Sequence, residues 1–410
     1  MRKSIYGCNW KIVSEEFYFL LNAAKMSKSS DHRPLNIYFS NLSPQKLDTA
    51  VGWQFSFAKK YKECGIDYMW LVFSSRFDDT FNSLKEQGVH VKIIPPDCTR
   101  GFRLISFLLR FIAEKRVDVF HMHFIYMWHA IILIILSKLF LRKTVFIYHK
   151  RSPGRFIFNR FNIKKYISPL AILSLLVDQI VCNSDSIVAN CHNRGVSRKK
   201  TIRIYNGVRI ERFDNVLDTE KVRREFNIPS EHKMVSTIKD ARPEVSLKDL
   251  LYSIPDVLSL YPKTTFLIAG GGIETDKLKE LAKKLQIEGN VIFAGIREDV
   301  PDIIAESDFT IDPSPVEAFG NVIVESMAGR KPVIAVNAWG PKEIIVHGET
   351  GILVEPGNPT DFAPAIIELL SSPEKVKKMG DKGLERAKKF FSAEYMVDNT
   401  VNLTMEFLPH

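Results

Sequence analysis

The chain alternates short runs of β-branched and aromatic residues with segments of helical period, and that alternation leaves few folds open to it. Leu35 to Ser40, Tyr68 to Ser74, Val89 to Ile94, Asp118 to His123, Thr144 to His149 and Gln179 to Asn183 read as strands, with helices such as Val51 to Cys64 and Gly101 to Val117 between them. Strands separated by helices do not pair as hairpins, so the pattern predicts a doubly wound parallel sheet. It restarts with strands at Met234 to Ile238, Thr265 to Ala269, Val291 to Ala294, Phe309 to Asp312 and Val333 to Val336. Helices are predicted over Leu247 to Tyr261, Asp361 to Leu370, Pro373 to Lys389 and Ala393 to Leu408. A chain of 410 residues exceeds what one hydrophobic core supports, so two domains of this α/β class are expected.

Composition narrows the setting. Five cysteines, Cys8, Cys64, Cys98, Cys182 and Cys191, form no C-x-x-C pair, which fits a reducing compartment without a zinc or disulfide framework. No metal site is predicted. The longest apolar run, Ala130 to Leu136, stops at Ser137-Lys138 and is too short to span a bilayer. Arg2 and Lys3 are not followed by an uninterrupted apolar segment, so no signal peptide is expected and the location expected is cytoplasmic. The net charge of +10 hides a division: residues 1–210 hold 33 Lys and Arg against 14 Asp and Glu, and the remainder 24 against 33. A basic half implies an anionic partner. No nucleic-acid motif accompanies the charge, so a membrane surface or phosphate-bearing lipid is the better match, with a peripheral position on the inner face of the cell membrane. The helix predicted over Gly101 to Val117 interleaves Leu104, Ile105, Leu108 and Ile112 with Arg103, Arg110, Lys115 and Arg116. Its apolar face reads first as core and second as a basic amphipathic surface for anionic lipid.

The stretch from Asp308 to Ala335 carries the densest chemistry. Pro313 and Pro315 force an extended exit from the strand Phe309 to Asp312. Gly320 allows a tight approach, and Asn321 reads as the N-cap of a helix through Val322, Ile323 and Met327. Glu317 thus falls in the loop beyond a strand's carboxyl end, where open parallel sheets place ligands. Glu325 lies roughly 200° around the helix from Ile323 at about 100° per residue, so it is predicted to face away from the buried stripe. Two acids beside a helix N-terminus suit a ligand with hydroxyls and phosphate, although the helix dipole alone favours an acid there. Elsewhere, His121 and His123 share one strand face and read as a polar strand end rather than as ligands. Arg242 and Lys248 lie on a loop after a strand, and Gly270-Gly271-Gly272 is a weak phosphate signal expected to allow close packing.

Glu317, Phe319, Gly320, Glu325, Met327, Ala328 and Pro332-Val333, with seven residues between the two glutamates, resemble the signature of the retaining glycosyltransferases of family 4. The similarity continues through Gly340, Glu343, Gly348, Gly351 and the run LVEPGNP, and through Asn206-Gly207-Val208 and Phe390-Phe391-Ser392. Departures are Gly329-Arg330-Lys331, Arg209 in place of an Asp, Ala241 in place of a glycine, and Asp48-Thr49 where the family carries paired glycines. The resemblance implies the GT-B fold, two Rossmann-like domains facing a cleft. Residues 1–34 would be an extension, 35–210 the acceptor domain, 211–232 a link, 233–390 the nucleotide-sugar domain and 391–410 a helix crossing back to the first domain. It implies transfer of a sugar from a UDP- or GDP-sugar with retention, without a further cofactor or a divalent cation. Arg242 and Lys248 would clamp the diphosphate with the amides near Gly320 to Val322. Glu325 would accept ribose hydroxyls, Glu317 would accept sugar hydroxyls or act as a covalent nucleophile, and His149 would reach the donor sugar. Phe319, Gly320, Asn321 and Val322 would line the nucleotide, and the loop of Ile296 and Arg297 would hold the base. The basic first half suggests a lipid-linked or cell-envelope glycan as acceptor. A non-catalytic nucleotide-sugar-binding or scaffold protein is the alternative. A dinucleotide oxidoreductase is disfavoured because no G-x-G-x-x-G follows the first strand.

Overall fold

The computed structural model describes residues 33–40, 47–72, 84–86, 88–99, 101–123, 125–141, 143–154, 168–214, 218, 220–357 and 361–408. Of the expected extension 1–34, all but the last two residues lie outside them, as do Phe73 and Ser74 of the second predicted strand and Asn358-Pro359 of the family run. The chain divides into two compact units, the first built from residues up to Cys182 with Val188–Ile204 and Val397–His410, the second from Asn183–Ile187 and Tyr205–Met396.

The first unit is a seven-stranded sheet of order β3-β2-β1-β4-β5-β6-β7. Its strands are β1 (Leu35–Ser40), β2 (Asp67–Val72), β3 (His90–Ile93), β4 (Val119–His123), β5 (Val145–Lys150), β6 (Gln179–Cys182) and β7 (Thr201–Arg203), all paired in parallel. β7, three residues long, had no counterpart in the sequence reading. β4 is buried along its whole length, as a strand covered by helices on both faces must be. Asp48 and Thr49 fall inside the helix Leu47–Glu63.

The helix Gly101–Lys115 buries Leu104, Ile105, Leu108, Leu109, Phe111 and Ile112. At about 1.5–3 kcal/mol for each buried side chain, that face belongs to the core, the first of the two readings of this helix. The exposed apolar stripe lies on the next helix, Met127–Phe140, where Trp128, Ile132, Ile135 and Leu139 all face solvent at helical spacing.

The second unit is a six-stranded sheet of order β10-β9-β8-β11-β12-β13, again all parallel. Its strands are β8 (Lys233–Ile238), β9 (Thr264–Ala269), β10 (Val291–Gly295), β11 (Phe309–Asp312), β12 (Val333–Val336) and β13 (Gly351–Val354). The segment expected to link the domains, 211–232, is instead part of this unit. It forms a helix, Lys221–Glu225, whose first amides at Val222 and Arg223 each donate to the Glu306 carboxylate at 2.8 Å. Val222 anchors it in a buried cluster with Ile228, Met234 and Leu267. The charges of this stretch hide the apolar face that Val222, Phe226 and Ile228 supply.

Asn206-Gly207-Val208 docks on the chain's last turn. The Val208 amide donates to Phe391 O at 2.8 Å, and the Ala393 amide donates to Val208 O at 2.9 Å. A Cβ on Gly207 would stand 2.6 Å from Ala393 Cα, so only glycine fits. The helix Ala393–Met405 begins among the residues of the second unit, and from Val397 onward it belongs to the first.

In each sheet the strand order reverses once, between β1 and β4 and between β8 and β11. Connections leave these points in opposite directions, opening a crevice beyond the carboxyl ends of the strands.

Candidate functional site

In the second unit, Lys239 follows β8 and Asp312 ends β11, so both stand at the switch point. Lys239 Nζ lies 2.9 Å from Asp312 Oδ2 and 2.6 Å from Glu317 Oε2, with side-chain exposures of 12%, 2% and 28% for the three residues. Burial pulls the Lys239 ammonium down, but Asp312 and Glu317 together outweigh it and hold the pKa above the usual lysine value. Sequence reasoning missed Lys239. Its signal was position alone, the first residue past an apolar strand.

The two cations that the sequence singled out sit differently. Arg242 is exposed, with its guanidinium 3.4 Å from Asp240 Oδ2, and Lys248 is exposed on the first turn of the helix Leu247–Leu260. Arg297 donates to Asp299 at 2.8 Å through Nε and to Glu225 at 2.7 Å through Nη2, and lies over the Phe226 ring at 5.3 Å. Its side chain is thus committed within the fold, leaving the backbone of its loop as the part open to a ligand.

The loop carrying Glu317 is locked from below. The Gly340 amide donates to Glu317 O at 2.9 Å, and a Cβ on Gly340 would meet Phe319 O at 2.2 Å. Phe319 itself is 1% exposed, its ring 5.8 Å from Phe391 and 5.7 Å from Tyr205, so its side chain packs within the fold. Ser314 lies in the same loop with a buried hydroxyl that has no partner among the described residues. Gly270-Gly271-Gly272 presses backbone on backbone here: Cβ atoms at Gly270 and Gly272 would stand 2.0 Å from Lys239 O and 2.3 Å from Ala241 O.

The helix after this loop runs Asn321–Ala328, and Gly320, at φ 109°, takes the cap position expected of Asn321. Asn321 is the first helical residue, and its Oδ1 accepts from Asn206 Nδ2 at 3.0 Å. The opening amides of any helix lack partners inside it and carry its positive pole, so Gly320, Asn321 and Val322 present an anion-binding end at the switch point.

Glu325 corrects the sequence reading: it is buried, 9% exposed, not turned to solvent. The helix Asn321–Ala328 is covered by the helix Pro373–Phe390, by the segment Ile210–Phe213 and by β11, so it has no free face. Burial pushes the Glu325 carboxyl above the usual range, and Arg212 and Lys239 act against that. The folded chain therefore retains a proton across a window in which the unfolded chain has lost it. Stability falls as pH rises through that window, by about 1.4 kcal/mol per unit of displacement. Glu325→Gln is expected to remove the loss, raising the urea midpoint at about pH 7 while leaving it near the parent value at about pH 4. A difference between the two proteins that did not change with pH would refute the assignment.

A hollow lined by Lys233, Asp308, Arg330 and Lys331 lies at the amino ends of β8 and β11, away from the chemistry.

In the first unit, His149 on β5 is buried within an aromatic cluster. Register builds it: Tyr38 pairs with His121 and His123 pairs with His149 across adjacent strands. The His123 and His149 rings stack at 3.7 Å, and Tyr38 stacks on His121 at 4.4 Å. Burial holds all three imidazoles well below the usual histidine range, His121 at about 3, so they are neutral at pH 7. Arg151 lies over the Trp53 ring at 5.0 Å and its charge reinforces the effect on His123 and His149. His121 and His123, read from sequence as a polar strand end, are instead the floor beneath His149.

Comparison with known proteins agrees with the fold and the motifs. Residues 56–212 match the family model for Glycosyltransferase Family 4, and residues 218–386 match that for Glycosyl transferases group 1. The N-acetyl-alpha-D-glucosaminyl L-malate synthase of Bacillus anthracis is 29% identical over 220 residues, 54% of this chain and 57% of that protein. The lipopolysaccharide core biosynthesis glycosyltransferase LpsE of Rhizobium meliloti is 27% identical over 230 residues, 55% of this chain and 64% of its own length. The chain thus spans less than two thirds of these curated relatives. Among solved structures, Anabaena HepE in complex with UDP and glucose superposes with a TM-score of 0.74 at 20% identity, covering 92% of this chain and 100% of that one, a likeness of fold. With both family models matched in tandem and a GT-B fold beneath them, the chain belongs to the family 4, group 1 glycosyltransferases.

Proposed function

We propose that the protein is a retaining glycosyltransferase that moves a hexose-type sugar from a UDP- or GDP-sugar to a lipid-linked or cell-envelope glycan at a membrane surface. The observation that carries this reading is the Lys239–Asp312–Glu317 cluster beside the anion-binding end of the helix Asn321–Ala328, with Glu325 buried one turn on. Breaking a glycosidic bond to a diphosphate needs charge stabilised on the leaving group while an oxocarbenium-like centre develops. The amides of Gly320 to Val322 face the departing diphosphate, with Arg242 and Lys248 as mobile cations closing on it, which requires no divalent cation. Glu325, stripped of water, accepts the two ribose hydroxyls in charge-assisted bonds. Glu317, held by Lys239, accepts hydroxyls of the transferred sugar. His149 contributes a neutral imidazole to that sugar. The acceptor attacks on the face the diphosphate leaves, and the diphosphate takes the acceptor's proton.

UDP as the nucleotide draws support from HepE, solved with UDP and glucose. Thermal-shift screening of UDP- and GDP-sugars, followed by assay of nucleoside diphosphate release, tests the proposal. Binding with no release over long incubation would leave a nucleotide-sugar-binding protein, and no binding would end the reading.

The membrane reading rests on the basic first half of the chain and on the exposed Trp128, Ile132, Ile135 and Leu139 stripe. The protein is expected to sediment with anionic vesicles and less with neutral ones, and equal sedimentation would count against it.

A further inference from the structure

The hydrogen bonds around Thr404 admit one proton arrangement. Thr404 Oγ1 has three neighbours: Thr400 O at 2.9 Å, Tyr61 Oη at 2.8 Å and His121 Nε2 at 3.2 Å. A hydroxyl has one proton and two acceptor sites, and a backbone carbonyl only accepts. All three bonds form together only if Thr404 donates to Thr400 O and accepts from both Tyr61 and His121. His121 therefore carries its proton on Nε2. A neutral imidazole has a single N–H, so His121 Nδ1 is an acceptor, and it lies 2.9 Å from His149 Nε2. His149 must then donate through Nε2, which leaves Nδ1 with a lone pair.

Stacking holds the planes of both rings, and the contacts to His149 and Thr404 place the two nitrogens of His121. His149 is stacked on His123 at 3.7 Å, His121 is stacked on Tyr38 at 4.4 Å, and both histidines are buried. No other hydrogen bond to either ring of the pair comes from the described residues.

We propose that Thr404, on the helix Ala393–Met405, is a positioning residue that sets the tautomer of His149 through His121, so that His149 meets its substrate with an acceptor nitrogen rather than an N–H. The partner group on the substrate is then a hydrogen-bond donor, a sugar hydroxyl, and not a phosphate or carbonyl oxygen. The tautomer stands on the structure alone, and its bearing on transfer rests on the reading of His149 as a sugar contact.

Long-range proton–nitrogen correlation spectra of the full chain with labelled histidine report each tautomer directly. In the parent protein both His121 and His149 are expected as neutral Nε2–H rings, and either one found as Nδ1–H overturns the proposal without any variant. Thr404→Val removes the acceptor and is expected to give mixed tautomers at both rings. Thr404→Ser is expected to keep the parent pattern, as is Tyr61→Phe, which removes a donor but leaves the carbonyl in place. Unchanged tautomers in a folded Thr404→Val also overturn it. In that variant kcat is expected to fall on the order of tenfold, the scale of losing a group that orients a reacting one, with the donor KM within about twofold. The spectra need no substrate, so failure of the relay is distinct from failure of the His149 reading, which shows as shifted tautomers with unchanged turnover.

Discussion

Lys239→Met is expected to destabilise the protein by about 3–5 kcal/mol, the scale of removing one partner from a buried ion pair. Lys239 is the shared cation of Asp312 and Glu317, at 2.9 and 2.6 Å. Without it two carboxylates face each other at the end of β11, and Asp312, with a side chain only 2% exposed, has no water to turn to. Methionine keeps the length of the side chain, so packing is nearly conserved and the loss is electrostatic. Two further outcomes separate this from simple misfolding. Lys239→Met with Asp312→Asn should recover much of the loss, because it removes the charge left stranded, and the two changes should be strongly non-additive. The deficit should also exceed that of Glu317→Gln in the parent background, because in Lys239→Met the buried Asp312 loses its only cation among the described residues. Urea denaturation of the parent, the two single variants, the double variant and Glu317→Gln measures all of this. A loss below about 1 kcal/mol would mean that the cluster is solvated like a surface pair.

The strands of this fold were legible and its cluster was not, for the same reason. β11 and β12 run over the residues read from sequence, Phe309–Asp312 and Val333–Val336, because apolar runs bracketed by Pro313 and Pro332 announce their own ends. Lys239 has no such local mark. Its role depends on β8 lying beside β11, which only the sheet order provides. His121 and His123 were dismissed for want of a nearby acid or cysteine, yet register with β1 and β5 sets Tyr38 and His149 against them. Glu325 failed differently. An angle on a helical wheel assumes one buried face, and the helix Asn321–Ala328 is covered on several sides, so 100° from one reference residue does not reach solvent. Glu317 was placed well because Pro313 and Pro315 hold the loop extended beyond the strand whatever the tertiary context.

Glu317→Gln separates chemistry from architecture at this point. Lys239 retains Asp312 at 2.9 Å, and the Gly340 amide still holds Glu317's backbone oxygen at 2.9 Å, so the loop should keep its course. Because the Glu317 side chain is 28% exposed, its loss as an ion-pair partner should lower stability by no more than about 1 kcal/mol. Turnover should respond far more. A hydrogen bond from a sugar hydroxyl to a charged acceptor contributes about 1.5–3 kcal/mol, and the amide offers a weaker, neutral one. At about 1.4 kcal/mol per factor of ten, kcat is expected to fall roughly ten- to a hundredfold. Nucleoside diphosphate affinity should stay within about twofold, because Glu325 and the helix amides at Gly320 to Val322 are untouched. Calorimetric titration of the nucleotide beside steady-state kinetics of the sugar donor reads the two quantities separately. Parent-like turnover would remove Glu317 from the reaction, and a parallel loss of nucleotide affinity would make it a strut of the nucleotide pocket instead.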